Sequence, residues 1–227
     1  MGGGSVPRRF PPFTMALIAL NVAVFALQTW MQHHSNFPFN EWFALSRDGL
    51  RQGHWWQLIT FQLLHAPMAH PLSWNTLRYL DLPWHLLLNC WGIFVFGPPL
   101  EAVLGKSRLA ATYFLSGVAG GALQVFAGAL SAARFGGQVV GASAGVLGLL
   151  AAFTQLFPDA RMTVLLFFVI PLRMTANRLL TLATVLSVVG MVFPNRLLGA
   201  HVAHAAHLGG LIAGLFFIRL SMRRFRG

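Results

Sequence analysis

The sequence predicts an all-α, polytopic membrane bundle of six spanning helices with a membrane-dipping first loop. Three observations predict it. The 227 residues are 56% hydrophobic and only 9% charged, with a mean hydropathy of +0.64, whereas soluble domains carry about 25% charged residues. The acidic residues are only Glu41, Asp48, Asp81, Glu101 and Asp159, set against sixteen Lys and Arg. These charges stand singly between apolar runs, several long enough to cross a bilayer core about 30 Å thick, which takes roughly 20 helical residues. The same observations exclude other classes. A net charge of +11 would suggest nucleic acid only on a basic patch with polar surroundings, and no such patch occurs. The apolar content is too high for disorder, and Cys90, the single cysteine, permits no intramolecular disulfide.

Residues 1–13 read as a cytoplasmic tail, with Met1 to Ser5 as a flexible linker, 14–220 as the membrane domain and 221–227 as a basic tail. The first span covers about 14–31. Arg8-Arg9 precede it as in a signal peptide, but Asn21 interrupts the run and no small-x-small site comes before Gln28-Thr29-Trp30, so an uncleaved helix is expected. The stretch 52–77 carries no Asp, Glu, Lys or Arg yet holds His54, His65, His70, three Gln, Pro67 and Pro71. That composition suits a loop dipping into the membrane against protein rather than a lipid-facing helix.

The second span, 84–104, contains Pro98-Pro99, which should kink or end it. The third covers 109–130 and the fourth 141–157. The stretch 162–172 is too short to cross, ends in Pro171-Leu172-Arg173 and is expected at the interface. The fifth and sixth spans cover 177–193 and 201–220. No repeat of span length is evident, so an inverted-repeat transporter gains no support.

Six spans put both termini on one side. That side holds Arg8, Arg9, Lys106, Arg108, Arg161, Arg173, Arg178, Arg219, Arg223, Arg224 and Arg226; the other holds Arg47, Arg51, Arg78, Arg134 and Arg196. The bias predicts cytoplasmic termini and a bacterial inner membrane.

Polar side chains inside spans are costly and mark function by default. The fourth span opens Gly141-Ala142-Ser143-Ala144-Gly145. Taken alone, such a serine more often serves helix packing, with Gly141 and Gly145 as a small-xxx-small face. The span is short, however, so its N-terminus should lie below the outer surface with Ser143 on the first turn. Free N–H groups and the positive end of the helix dipole there suit an oxyanion. The sixth span carries His201, His204 and His207. At 3.6 residues per turn these sweep around the helix instead of forming one tight face, and His201 and His204 are expected nearer the interface. Gly210 and Gly214 beneath His207 form a close-approach face that would bring this helix onto the fourth span, making Ser143 and His207 a nucleophile–base pair. His85 and Asn89, at i and i+4, share a face of the second span; they read equally as oxyanion donors or as a polar contact between helices. Glu101 reads as a structural hydrogen-bond acceptor.

Absences narrow the chemistry. There is no HExxH zinc motif, no Asp lies in a span, and the only lysine, Lys106, sits in the turn at the far end from Ser143. No carboxylate reaches the depth of His207, so a serine mechanism here would be a dyad.

These residues resemble the rhomboid intramembrane serine proteases. The likeness runs from about Thr14 to Gly214: Leu17-Ile18-Ala19-Leu20-Asn21-Val22, Trp56-Gln57-Leu58-Ile59-Thr60 with His65, His85-xxx-Asn89, Gly97-xxx-Glu101-xxx-Gly105, Tyr113 to Gly121, Gly141-Ala142-Ser143, and Ala206-His207-Leu208-Gly209-Gly210 with Gly214. The resemblance implies Ser143 as nucleophile and His207 as base, with His85, Asn89 and the Ser143 backbone N–H holding the oxyanion. His207 is preferred to His204 by the family's spacing to Gly210 and Gly214. The resemblance also implies a transmembrane protein substrate entering laterally near the second and fifth spans, with a small residue before the cut, and no metal, organic cofactor or nucleic acid.

Ala144 departs from the family's usual Gly and should crowd the oxyanion site. Gln57 replaces the usual Arg, weakening a loop anchor, and Pro71 to Pro83 looks like an insertion in the first loop. The alternatives are a non-catalytic rhomboid-like protein that binds membrane helices, and a metal or haem protein using His85, His201, His204 and His207.

Overall fold

The computed structural model describes residues 11–66, 83–166, 170–193 and 202–223. In chain order these form α1 (Pro12–His34), α2 (Phe39–Phe43), α3 (Arg47–Arg51), α4 (Gln57–Thr60), α5 (Trp84–Leu104), α6 (Lys106–Leu130), α7 (Ala132–Phe135), α8 (Ser143–Leu156), β1 (Arg161–Leu166), β2 (Ile170–Thr175), α9 (Ala176–Val192) and α10 (His204–Arg223). The apolar helices α1, α5, α6 and α10 are long enough to cross a membrane, and α8 and α9 are shorter apolar helices. These six correspond to the six spans expected from the sequence. The chain is an integral, multi-pass membrane protein built as an all-α bundle.

Its inside and outside obey the rule for a bilayer solvent. Large apolar side chains such as Leu27, Phe94, Phe126, Ile212 and Phe216 point outward, where lipid rather than water must cover them. The interior of the α6–α8–α10 crossing is made of small and polar residues, which let backbones approach. Gly209 of α10 lies against Gly120 of α6, and Gly214 lies against Gly148 of α8. Leu100, Leu109, Tyr113, Leu149 and Ile218 fill the rest of this core.

Helix α5 runs on through Pro98 and Pro99 to Leu104, so the prolines do not end it. A proline in a spanning helix costs less when a neighbouring helix braces the turn. Here Thr14 of α1 packs on Gly97 so closely that a Cβ would come within 2.6 Å of its methyl carbon. One turn on, Glu101 accepts from Phe13 N–H (3.0 Å), Thr14 N–H (2.8 Å) and Thr14 Oγ1 (2.7 Å). A carboxylate at the N-terminus of α1 satisfies donors that the helix itself cannot, and complements its dipole. Glu101→Ala is expected to destabilise the fold by about 2–3 kcal/mol and Glu101→Gln by less, as read from thermal unfolding in detergent.

The first loop is held by uncharged amides. Gln57, fully buried, donates to Glu41 O (2.8 Å) and accepts from Ser46 N–H (3.1 Å). The anchor is therefore kept without the arginine. Residues 67–82, which include most of the apparent insertion from Pro71 to Pro83 as well as His70, lie outside the described residues.

The stretch 162–172 is part of an antiparallel hairpin. Strands β1 and β2 pair from Arg161↔Thr175 through Leu166↔Ile170, between the far end of α8 and the start of α9.

Candidate active site

Residues 139–141 enter the site as an extended segment pinned to the first loop. Leu45 and Val139 exchange two backbone hydrogen bonds (3.0 and 2.8 Å), and Gly141 N–H donates to Phe61 O (2.9 Å). Gly141 has φ +131°, a conformation that side chains rarely adopt. A Cβ there would also sit 2.7 Å from Cε1 and Nε2 of His85. The glycine therefore lets an imidazole close over the backbone just before the next helix.

That helix, α8, begins at Ser143 itself. Its first-turn N–H groups lack intrahelical acceptors, and its positive end lies at the serine. Fourteen residues reach about 21 Å, well short of a ~30 Å core.

Helix α10 brings His207 to the same place. Ser143 Oγ and His207 Nε2 are 2.8 Å apart, and both residues are half-buried. The approach depends on Gly210, where a Cβ would come 2.8 Å from the carbonyl carbon of Ala144. Gly145, in turn, packs against the Tyr113 ring. Gln124 of α6 accepts from Ala206 N–H (3.2 Å) and donates to Phe135 O (3.1 Å). It thus ties the start of α10 to the segment leading towards Ser143. An open cavity of about 450 Å³ lies behind that segment, bounded by Leu45, Asp48, Gln124, Phe135 and Val139.

His85 Nδ1 accepts from Ala66 N–H (3.1 Å). A backbone donor there requires a lone pair on Nδ1, so the ring hydrogen is on Nε2, the atom facing Gly141. His85 is thus a neutral donor aimed into the site. Asn89 lies one turn below, buried, its amide donating to His85 O (2.8 Å). Among the described residues no hydrogen bond joins Asn89 to Ser143 or His207.

His65, in the loop outside the spanning helices, is fully buried and meets His85 edge to face, with ring centroids 5.2 Å apart. Burial first, then the neighbouring His85 ring, holds His65 well below the usual histidine value, at about 3, so it is neutral at physiological pH. Gln28 grips its backbone at both N–H (3.1 Å) and O (2.9 Å).

His204, at the start of α10, is buried in protein, lies flat against Gly190 of α9 and meets His207 edge to face at 6.0 Å. The Ala144 methyl is turned towards Gly120 of α6, 2.7 Å from where a Cβ would stand. Glu101 belongs to the opposite end of α5 and contacts α1. His201 lies outside the described residues. Among the described residues no three His, Cys, Asp or Glu side chains converge as metal ligands.

The family model described as Rhomboid domain matches residues 82–224. The chain is 27% identical over 217 residues to Rhomboid protein 1, mitochondrial, of Saccharomyces cerevisiae, covering 91% of this chain and 55% of that protein. It is 24% identical over 151 residues to the human presenilin-associated rhomboid-like protein, mitochondrial, covering 66% and 38%. A shorter match, 40% identical over 72 residues, is to a rhomboid-named protein of Bacillus subtilis, covering 32% and 29%. The chain thus spans about half the length of the yeast relative and less of the others.

Proposed function

This chain belongs to the rhomboid family, and from that premise we propose that it is an intramembrane serine endopeptidase working through a Ser143–His207 dyad. The observation that carries the proposal is the 2.8 Å contact between Ser143 Oγ and His207 Nε2 at the N-terminus of a short helix. In the first step Oγ attacks the scissile carbonyl as its proton passes to His207 Nε2. Negative charge then builds on the carbonyl oxygen. The Ser143 backbone N–H, the His85 Nε2–H and the Asn89 amide are its donors, the last with the hydrogen not spent on His85 O. Collapse expels the amine, which takes the proton from His207 and leaves an acyl-serine. Water attacks that ester, His207 again accepting the proton and returning it to Oγ. Among the described residues no carboxylate contacts the His207 imidazole.

The substrate is a transmembrane segment of another protein. Helix α9 packs on α10, α8 and β2 and touches α5 little, which supports lateral entry between α5 and α9. The charge bias supports a bacterial inner membrane with both termini cytoplasmic; the mitochondrial names of two reported relatives make an organelle membrane the second reading.

In vesicles, His207→Ala is expected to stop both cleavage of a model transmembrane substrate and labelling by a fluorophosphonate, with His204→Ala retaining both. The reverse pattern would reassign the base, and an unlabelled, inactive wild-type protein would refute the protease reading. Asn89→Ala removes one oxyanion donor, for which about 2.7–4 kcal/mol is usual. Its kcat is expected to fall about 10²–10³-fold with KM little changed, measured on the same substrate.

A further inference from the structure

The hairpin β1–β2 closes the end of the bundle opposite Ser143, and nothing in the proposed chemistry uses it. Its register pairs Met162 with Met174, Thr163 with Arg173 and Val164 with Leu172. Side chains alternate across a strand with period two. One face therefore carries Arg161, Thr163, Arg173 and Thr175, and the other Met162, Val164, Leu172 and Met174. Arg161, Thr163 and Arg173 are exposed, while Met162, Val164 and Met174 are half-buried. At the base, Met162 packs on the main core beside Phe157 and Ala160.

Further along the same face, Val164, Leu172 and Met174 are not part of that core. Leu172 is 38% exposed, and among the described residues the hairpin's main helix contact is that of β2 with α9, which follows it. A two-stranded hairpin is marginal in water without something against its apolar face. Beside it, an open groove of about 430 Å³ is walled by Val95, Pro99, Phe153, Phe157 and Met162, with Arg161 and Thr163 completing it.

We infer that the hairpin is an interfacial anchor. It lies in the leaflet distal to Ser143, with Val164 and Leu172 towards the acyl chains and Arg161 and Arg173 on anionic phospholipid headgroups. Two features select lipid as the occupant. Leu172 is an exposed apolar side chain of the kind that the spanning helices present to the bilayer. The two arginines are diagonal neighbours, roughly 7–8 Å apart, on the opposite face, and neither pairs with a carboxylate among the described residues. Polar positive charge over an apolar underside is the pattern of an element lying in the headgroup plane.

The test places single nitroxide labels in a Cys90→Ala background, since Cys90 is the only native cysteine. Thr163→Cys, Val164→Cys, Leu172→Cys and Arg173→Cys proteins are studied in phosphatidylcholine vesicles with phosphatidylglycerol. Labels at 164 and 172 are expected to relax with oxygen, and labels at 163 and 173 with a water-soluble nickel complex. Nickel access at all four positions would overturn the inference, as would labels at 164 and 172 shielded from both reagents, which would mean protein cover. Separately, Arg161→Gln with Arg173→Gln is expected to weaken the preference for spin-labelled phosphatidylglycerol over phosphatidylcholine, by up to about fivefold per arginine. An unchanged preference would overturn the role given to the arginines. Neither readout needs proteolysis, so both stand apart from the reading of Ser143.

Discussion

Ser143→Ala is expected to abolish cleavage of a transmembrane substrate, and fluorophosphonate labelling with it, in a protein that still inserts and folds. The substitution deletes one oxygen at the first residue of α8, a place where alanine is a good helix former. The lost contact with His207 Nε2 is a single hydrogen bond, of the kind that contributes about 1 kcal/mol to stability. The kinetic loss is of another order. Where nucleophile and base act as one unit, removing either costs about 10⁶ in kcat, and removing both costs little more. His207→Ala should therefore match Ser143→Ala, and the double variant should be no worse than either. Residual cleavage above about one part in a thousand, or losses that multiply in the double variant, would show that the two side chains do not form a catalytic unit.

The second large effect is expected at a position with no reacting atoms. Gly210→Val should lower kcat at least about a hundredfold, because a Cβ at Gly210 would overlap the Ala144 carbonyl oxygen and come within 2.8–2.9 Å of its carbonyl carbon and Cα. The obstacle is backbone on both sides, so α8 and α10 must separate, carrying Ser143 and His207 apart. A misplacement of about 1 Å in a reacting pair is enough for such a loss. Overpacking also costs about 1–3 kcal/mol of stability, so the melting temperature should fall while the protein remains folded at low temperature. Ile212→Val, on the lipid-facing side of the same helix, is the control and should retain both activity and stability. Wild-type kcat in Gly210→Val would mean that the close crossing is not what sets the dyad.

The six apolar helices were legible because burial in lipid imposes length and composition on each span, and those are sequence properties. The meeting of α8 and α10 was legible for a related reason: Gly210 and Gly214 have no role unless a backbone lies against them. The hairpin was not. An apolar run as short as 162–172 gives no helix-length period, and its period-two alternation at Arg161-Met162-Thr163-Val164 competes with the uniformly apolar residues that follow. That α5 continues past Pro98 and Pro99 was not legible, because local propensity knows nothing of Thr14 packed on Gly97. The burial of His204 was not legible, because what covers it is Gly190, a partner on another helix. The side chains holding the site from behind, Gln28 and Gln124, were overlooked, although a glutamine in an apolar span is the signal that should have singled them out. What the sequence could not carry is the backbone contact from Phe61 O to Gly141, since any residue supplies a carbonyl.

The way residues 139–141 hang on the first loop has a pharmacological consequence. The segment is held by backbone bonds to Leu45 and Phe61, and the cavity of about 450 Å³ behind it shares Leu45 and Val139 in its wall. A compound wedged there would prise the loop from the segment and spoil the donor geometry around Ser143 without occupying the path of the incoming helix.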